Sequence, residues 1–243
     1  MQTTAMTILE PARLPVLMGD MTDALDVLRT NLGSRQLTPR SLEKIRMPAA
    51  GATQFRRPTA DGVEMVDAIT GVLVGVGTPR VYWDSPFGQG ERGAPPACKS
   101  DDGVLGDGLY GQYGEMGARL RGQRGVCDTC PMNMWPARGS GGASRKKPCS
   151  ELRNLFFLPL DEDMVLPQVL VVTPGSLRAV DDYLLSIAMR GVPFYAAVTK
   201  LSLKAAVSGG GIAYQTLTLQ RTGSLSPEDR AKMKAYVDSL GAF

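Results

Sequence analysis

The chain contains no histidine among its 243 residues. This absence excludes catalysis by a histidine base and excludes nucleophiles that need a histidine partner. It also means that a tetrahedral zinc site in this chain would have to be made of four thiolates. No other convincing catalytic constellation is present, so the sequence predicts a protein that is not an enzyme.

Long apolar runs are also absent, and no segment approaches the roughly 18 to 20 residues of a membrane span. The start, Met1-Gln2-Thr3-Thr4, has neither the basic nor the apolar region of a secretory signal. We therefore expect a cytoplasmic protein with no membrane partner. The net charge is only +3, so any affinity for nucleic acid must depend on local basic patches.

Cysteine is scarce, and its four occurrences lie in one stretch. Cys127 and Cys130 form a CxxC turn, with Cys98 before it and Cys149 after it. Such a turn supplies two thiolates from one bend, so the four residues predict a structural Zn²⁺ site. Two disulfides, a redox dithiol and unlinked thiols are the alternatives. Disulfides suit secreted chains, and a thioredoxin-type CxxC stands between a strand and a helix, whereas loop is predicted on both sides here.

The segment 85–149 has no apolar periodicity and is rich in glycine and polar residues. Such a segment cannot build a hydrophobic core of its own, and a bound metal is the natural way to order it. Its basic cluster, Arg145, Lys146 and Lys147, has two readings. The cluster offsets the charge of about minus two on a four-thiolate zinc site, or it contacts phosphates.

The remaining patterns predict a β-rich α+β fold. About six or seven strands with an internal helix fit an OB-like Greek-key barrel, and a β-sandwich is the rival. Residues 55–58 read as a basic loop. Strands are predicted at 42–47, 69–76, 80–83, 152–158, 169–172, 194–203 and 212–219, and helices at 21–32, at 176–190 and from Ser226 onward.

These elements predict four parts of the chain. They are an N-terminal helical extension (1–40), an OB-like core (41–222), a cysteine-rich zinc insertion that interrupts this core (85–149), and a C-terminal helix (223–243).

Aromatic residues make up only 6% of the chain, and several stand beside basic residues in polar segments. Single-stranded nucleic acid requires this combination, because bases stack on rings while cations hold phosphates. The candidates for base stacking are Tyr82, Trp83, Tyr113, Trp135 and Tyr195, of which Trp83 and Tyr195 also suit a core. The candidates for phosphate contact are Arg56, Arg57, Arg145, Lys146, Lys147, Lys200 and Lys204.

Three carboxylates beside the cysteines, Asp101, Asp102 and Asp107, raise the alternative of a metal-dependent nuclease. No motif places them on rigid strands. Asp101 and Asp102 fit better as caps of loop amides near Cys98.

A resemblance adds to this interpretation. The residues that carry it are Cys98, Cys127-Asp128-Thr129-Cys130-Pro131, Cys149, the strand 152–158, the helix 176–191 and the strand start 210–214. In layout the chain resembles a family of phage and mobile-element single-stranded DNA-binding proteins, in which an OB-type barrel carries an inserted zinc module. The T-even phage member is similar in plan, although its zinc site includes a histidine.

The resemblance implies sequence-tolerant binding of single-stranded DNA in replication or recombination, with RNA as an alternative ligand. It also implies self-association on DNA, contacts with replication or recombination proteins, and a place in the host cytosol. A function of another class stays open. The modest net charge favours a zinc-ordered interaction or regulatory subunit without affinity for nucleic acid.

Overall fold

The computed structural model describes residues 7–8, 26–27, 30–33, 38–48, 51–85, 95–108, 125–135, 147–161 and 164–240. The chain divides into two compact units. The first, here called the core unit, comprises Met1–Val76 and Asn154–Phe243. The second, here called the cysteine unit, comprises Gly77–Arg153 and contains all four cysteines. The predicted insertion, 85–149, lies within the cysteine unit.

Fourteen strands lie in the described parts of the chain. They are β1 (Thr7–Ile8), β2 (Lys44–Ile45), β3 (Phe55–Thr59), β4 (Gly62–Val66), β5 (Ala68–Gly77), β6 (Arg80–Tyr82), β7 (Cys98–Ser100), β8 (Leu105–Gly108), β9 (Gly125–Val126), β10 (Cys149–Glu151), β11 (Arg153–Pro159), β12 (Gln168–Val172), β13 (Ala197–Val207) and β14 (Ala213–Ser224).

The core unit is built on a seven-stranded mixed sheet of order β1-β14-β13-β5-β11-β12-β2. β1 runs parallel to β14 and β2 runs parallel to β12, whereas β13 runs antiparallel to both β5 and β14. With β1 and β2 as its edges, this sheet of described strands is open. The predicted β-rich fold is confirmed, while the closed OB-like barrel is not.

The central strand β5 shows why the sheet holds together. Val72, Leu73 and Val74 follow one another and are all buried, as expected for a strand covered on both faces. A Cβ at Gly71 would overlap the carbonyl oxygen of Leu158 on the neighbouring β11. Glycine at this position therefore permits the close approach of the two strands.

The internal helix α1 (Leu177–Ala188) was predicted from its apolar stripe, and it packs as the stripe indicates. Val180, Tyr183 and Ile187 are its buried residues. The Tyr183 hydroxyl lies 2.6 Å from Oγ1 of Thr199 on β13, so the buried polar groups of both residues are hydrogen-bonded.

The C-terminal helix α2 (Pro227–Leu240) is confirmed, and Ser226 caps its N-terminus. Ser226 Oγ accepts a hydrogen bond from the backbone N–H of Asp229 at 3.1 Å and donates to the Asp229 carboxylate at 2.6 Å. Met233 and Tyr236 are buried on one face of the helix, which anchors it to the core unit.

The prediction of a basic loop at 55–58 is wrong. These residues belong to β3, which pairs with β4 in a two-stranded antiparallel hairpin. Alternation explains the strand: Phe55 and Arg57 are buried, and Arg56 between them is exposed. Arg57 tolerates burial because Glu64 stands directly opposite it and forms an ion pair with it.

Several predicted bounds also change. The strand predicted at 194–203 begins only at Ala197, because Phe194–Ala196 forms a 3-10 helix. Of the strand predicted at 42–47, only Lys44–Ile45 forms a β-strand. In the helix predicted at 21–32, residues 26–27 and 30–32 are helical, and its other positions lie outside the described residues. No described helix is long and apolar enough to cross a membrane.

Candidate functional site

Five short antiparallel strands organise the cysteine unit, in the order β10-β6-β7-β8-β9. Tyr82 on β6 stands opposite Cys149 on one side and opposite Cys98 on the other. Residues directly opposite each other in a ladder project from the same face of a sheet. The two outer cysteines of the sequence therefore share one face.

The CxxC turn follows β9 and is fixed by backbone hydrogen bonds. The N–H of Cys127 donates to the carbonyl of Val104 at 2.8 Å, and the N–H of Cys130 donates to the carbonyl of Cys127 at 3.3 Å. A 3-10 helix, Pro131–Asn133, begins directly after Cys130. The predicted loop on both sides is thus a strand on one side and a single helical turn on the other, and no α-helix of the thioredoxin type follows.

All four cysteines line one cavity of about 280 Å³. None of them is in a disulfide. Gly106 on β8 faces the same cavity, and a Cβ added to it would stand 2.9 Å from Cys98 Sγ and 3.8 Å from Cys127 Sγ. Glycine therefore leaves the space that these two sulfur atoms occupy.

The thiols influence one another electrostatically. Burial, together with the neighbouring thiols of Cys130, Cys127 and Cys98, raises the pKa of the Cys149 thiol to about 11 against the opposing effect of Arg80. Burial and the thiols of Cys127 and Cys130 also raise the pKa of Cys98. Without a cation these two thiols are protonated at neutral pH, and a metal would have to displace their protons.

Across the described residues, no group of three or more histidine, cysteine or acidic side chains is arranged to hold a metal ion. The donor chemistry suits zinc, since four thiols line a single cavity, but the sulfur atoms are not gathered at coordinating distances. Metal binding would require the thiols to converge.

The cysteine unit has almost no hydrophobic core in its described part. Cys127 is the one residue there among the buried hydrophobic side chains, and both apolar clusters found among the described residues belong to the core unit. Two of its largest apolar side chains face solvent instead, with Trp83 50% and Trp135 68% exposed. Something other than apolar burial must stabilise this unit.

Asn133 connects the CxxC turn to a basic and aromatic surface. Its Nδ2 donates to the carbonyl of Cys127 at 2.9 Å, while its Oδ1 accepts from Lys147 Nζ at 3.2 Å and from Arg80 Nη1. Lys147 Nζ also lies 5.7 Å from the centroid of the Trp135 ring, within cation–π range. Trp135, Lys147, Asn133 and Arg80 are here called the Trp135 platform.

The other predicted stacking residues differ from Trp135 and Trp83. Tyr82 is half-buried and lines the cysteine cavity, and burial is the main cause of its raised pKa. Tyr195 packs against an apolar cluster of the core unit, with its ring edge-to-face at 5.6 Å from Phe194. Tyr195 is thus half-buried against the core unit, and a base-stacking role for it stays a prediction. Tyr113 lies outside the described residues.

The predicted phosphate contacts also separate into groups. Arg57 is buried between two carboxylates, with its guanidinium 2.5 Å from Glu64 and 2.7 Å from Asp161. This corrects the prediction for Arg57, whose charge is already neutralised inside the protein. Lys200 and Lys204 are exposed on one face of β13, and Arg56 is exposed on β3. Arg145 and Lys146 lie outside the described residues.

The carboxylates near the cysteines serve the loop between β7 and β8. One oxygen of Asp102 accepts hydrogen bonds from Ser100 Oγ and from the N–H groups of Val104 and Leu105, at 2.8 to 2.9 Å. These bonds lower the pKa of Asp102 to about 2. The predicted loop-capping role of Asp102 is confirmed, and the nuclease alternative has no converging set of described carboxylates to support it.

Sequence reasoning missed Asn133, Arg80 and Gly106. Asparagine in a loop carries no pattern of its own, and Arg80 was read only as part of a strand. The roles of Arg80 and Asn133 depend on a contact between two segments that lie 53 positions apart along the chain.

No protein family, curated protein or solved structure matches this chain. Function therefore has to be inferred from the chemistry of the site.

Proposed function

We propose that this chain is a non-enzymatic, sequence-tolerant single-stranded DNA-binding protein, with RNA as an alternative ligand, that serves phage or mobile-element replication or recombination. The observation that carries the proposal is the Trp135 platform. An indole ring that is 68% exposed stands beside the ammonium group of Lys147, and this ammonium group is connected through Asn133 to the CxxC turn.

The chemistry of the platform suits an unpaired strand. A base stacked on an aromatic ring contributes about 1 to 3 kcal/mol, and the contact tolerates any sequence because every base has a π face. Lys147 supplies positive charge for a phosphate next to the stacked base. Trp83 is a second exposed ring of the same unit.

We further propose that the four cysteines hold a structural Zn²⁺. Support comes from their common cavity, the absence of disulfides, the space left by Gly106 and the lack of an apolar core in the described part of the unit. The metal would order the CxxC turn from which Asn133 positions Lys147. Four thiolates around Zn²⁺ carry a net charge of about minus two, which Arg80 and Lys147 would partly offset.

A mutation of Gly106 tests the zinc site at its most crowded point. Gly106→Ala is expected to lose zinc, because its Cβ would stand 2.9 Å from Cys98 Sγ, closer than such contacts occur. Gly125→Ala is the matched control: it is the cross-strand partner of Gly106, and nothing lies within 4 Å of its Cβ position. Zinc per chain, measured by elemental analysis after dialysis, distinguishes them. Equal zinc retention by both variants would argue against the cavity as the metal site.

Other parts of the sequence-based interpretation remain predictions. The described core sheet is open, so the proposed binding does not use the groove of an OB-like barrel. Self-association on DNA, contacts with replication or recombination proteins and a cytoplasmic location likewise remain predictions.

The second candidate is a zinc-ordered interaction or regulatory subunit without affinity for nucleic acid. It is favoured by the exposed apolar residues of the same unit, since Val126 and Met134 are 49% and 54% exposed near the CxxC turn. Apolar side chains on a surface often mark a protein interface. This candidate predicts a protein ligand for the Trp135 platform in place of a base.

Fluorescence anisotropy of a labelled oligo-dT separates the two candidates. The zinc-loaded protein is titrated at low and moderate salt, with an unlabelled duplex of equal length as competitor. Single-stranded DNA binding predicts tight binding that resists the duplex and weakens as salt rises, because phosphate contacts release counterions. An absence of binding at low salt would contradict the first candidate and favour the second.

A further inference from the structure

A second basic surface lies in the core unit, where the chain places two arginines directly opposite each other. Arg46 and Arg56 form an antiparallel bridge in which each N–H donates to the other's carbonyl at 2.9 Å. Residues paired in this way project from the same face. Both arginines are exposed. Like charges directly opposite each other destabilise a strand pair, so this arrangement has a cost in stability.

On the other face of the same hairpin, an arginine is neutralised by carboxylates. Arg57, the neighbour of Arg56, is buried and paired with both Glu64 and Asp161. Within the described parts of the chain, neither Arg46 nor Arg56 forms an ion pair with a carboxylate. Their positive charge is therefore not neutralised by a described carboxylate.

The two arginines belong to a surface groove of about 490 Å³. Lys44 lies two positions before Arg46, on the same exposed face of the strand, and Ile45 between them is buried. The groove has one carboxylate in its described lining, Glu43, which accepts a hydrogen bond from Gln168 Nε2 at 3.2 Å. The lining residues are Arg40, Leu42, Glu43, Lys44, Arg46, Arg56, Pro58 and Val63.

We propose that this groove, here called the Arg46–Arg56 groove, binds the phosphates of a single strand of nucleic acid. Guanidinium groups pair with phosphate oxygens through two parallel N–H donors. Val63, 56% exposed beside the cations, gives a sugar or base an apolar surface. The identity of the ligand rests on the proposed function, but the residues are separate from those of the Trp135 platform.

The test is the salt dependence of oligo-dT binding by the Arg46→Gln/Arg56→Gln double variant. The slope of log K against log salt is negative, and each lost phosphate contact reduces its magnitude by about 0.7 for a single strand. The double variant should therefore show a slope that is shallower by about 1.4. Affinity at low salt should fall roughly tenfold or more. The matched control is Arg178→Gln/Arg190→Gln, which removes the same charge from exposed positions on α1 and just after its end and should retain the wild-type slope.

Thermal unfolding of the variants tests whether a loss of binding results from a loss of folding. Removing the repulsion between Arg46 and Arg56 should leave the melting temperature unchanged or raise it. Lys44→Gln, a single change outside the bridge, should make the slope shallower by about 0.7.

The outcomes separate the two proposals. A wild-type protein that does not bind oligo-dT overturns both. The Arg46–Arg56 groove alone is overturned if the wild type binds oligo-dT and loss of Trp135 weakens that binding, but the Arg46→Gln/Arg56→Gln variant keeps the wild-type salt slope.

Discussion

Cys149→Ser is expected to abolish zinc retention and to unfold the cysteine unit while the core unit stays folded. The described part of this unit buries almost no apolar side chain, so little else can balance the conformational entropy of its loops. Structural zinc sites contribute about 10 to 16 kcal/mol in small peptides. Loss of one thiolate ligand should therefore remove most of the stability of the unit.

The measurement combines metal content with tryptophan emission. Both tryptophans of the chain, Trp83 and Trp135, lie in the cysteine unit, so their emission reports this unit and not the core unit. Thr129→Ala is the control, because it changes an exposed residue inside the CxxC turn without removing a thiol. One zinc per chain in Cys149→Ser, or unchanged emission after chelation of the wild type, would contradict the expected role of the metal.

Trp135→Ala is expected to weaken oligo-dT binding by about 5- to 150-fold, which corresponds to the 1 to 3 kcal/mol of one base stacked on a ring. The change also removes the cation–π partner of Lys147. Because Trp135 is 68% exposed, its loss should cost little stability, and zinc content should stay at the wild-type value. The measurement is anisotropy of labelled oligo-dT at one fixed salt concentration.

Two further variants define what Trp135 contributes. Trp135→Phe keeps a ring and should recover a large part of the affinity, which a purely structural role of the indole would not predict. Met189→Ala removes a large apolar side chain that is 79% exposed in the core unit and should bind like the wild type. If Trp135→Ala binds as tightly as Met189→Ala, the platform is not the stacking surface.

Periodicity in the sequence was sufficient to find the elements that bury a regular face. α1 and α2 were predicted because each carries its apolar residues at helical spacing, and β5 was predicted because its apolar residues form a short continuous run. The strand β3 was missed because Arg56, Arg57 and Pro58 look like loop residues when read locally. Its inward arginine is neutralised by Glu64 on the paired strand and by Asp161, which lies 104 positions away along the chain.

The candidate site was predictable in its cysteines and not in its surroundings. Cys127 and Cys130 are recognisable from their CxxC spacing, and the position of Cys98 and Cys149 in the same stretch indicates a common site. The sequence does not show which aromatic rings face solvent, so Tyr195 stayed a stacking candidate beside Trp135 although it also suits a core. Only tertiary packing separates a ring in the core unit from one beside Lys147.

Intrinsic tryptophan fluorescence during a titration with oligo-dT tests the central claim most directly. The two tryptophans of the chain both belong to the cysteine unit and are both exposed, so no other part of the protein contributes to the signal. We predict saturable quenching by oligo-dT that is much weaker with duplex DNA and largely lost in Trp135→Ala. Emission that stays unchanged while anisotropy reports binding would contradict stacking on this unit and place the DNA elsewhere on the protein.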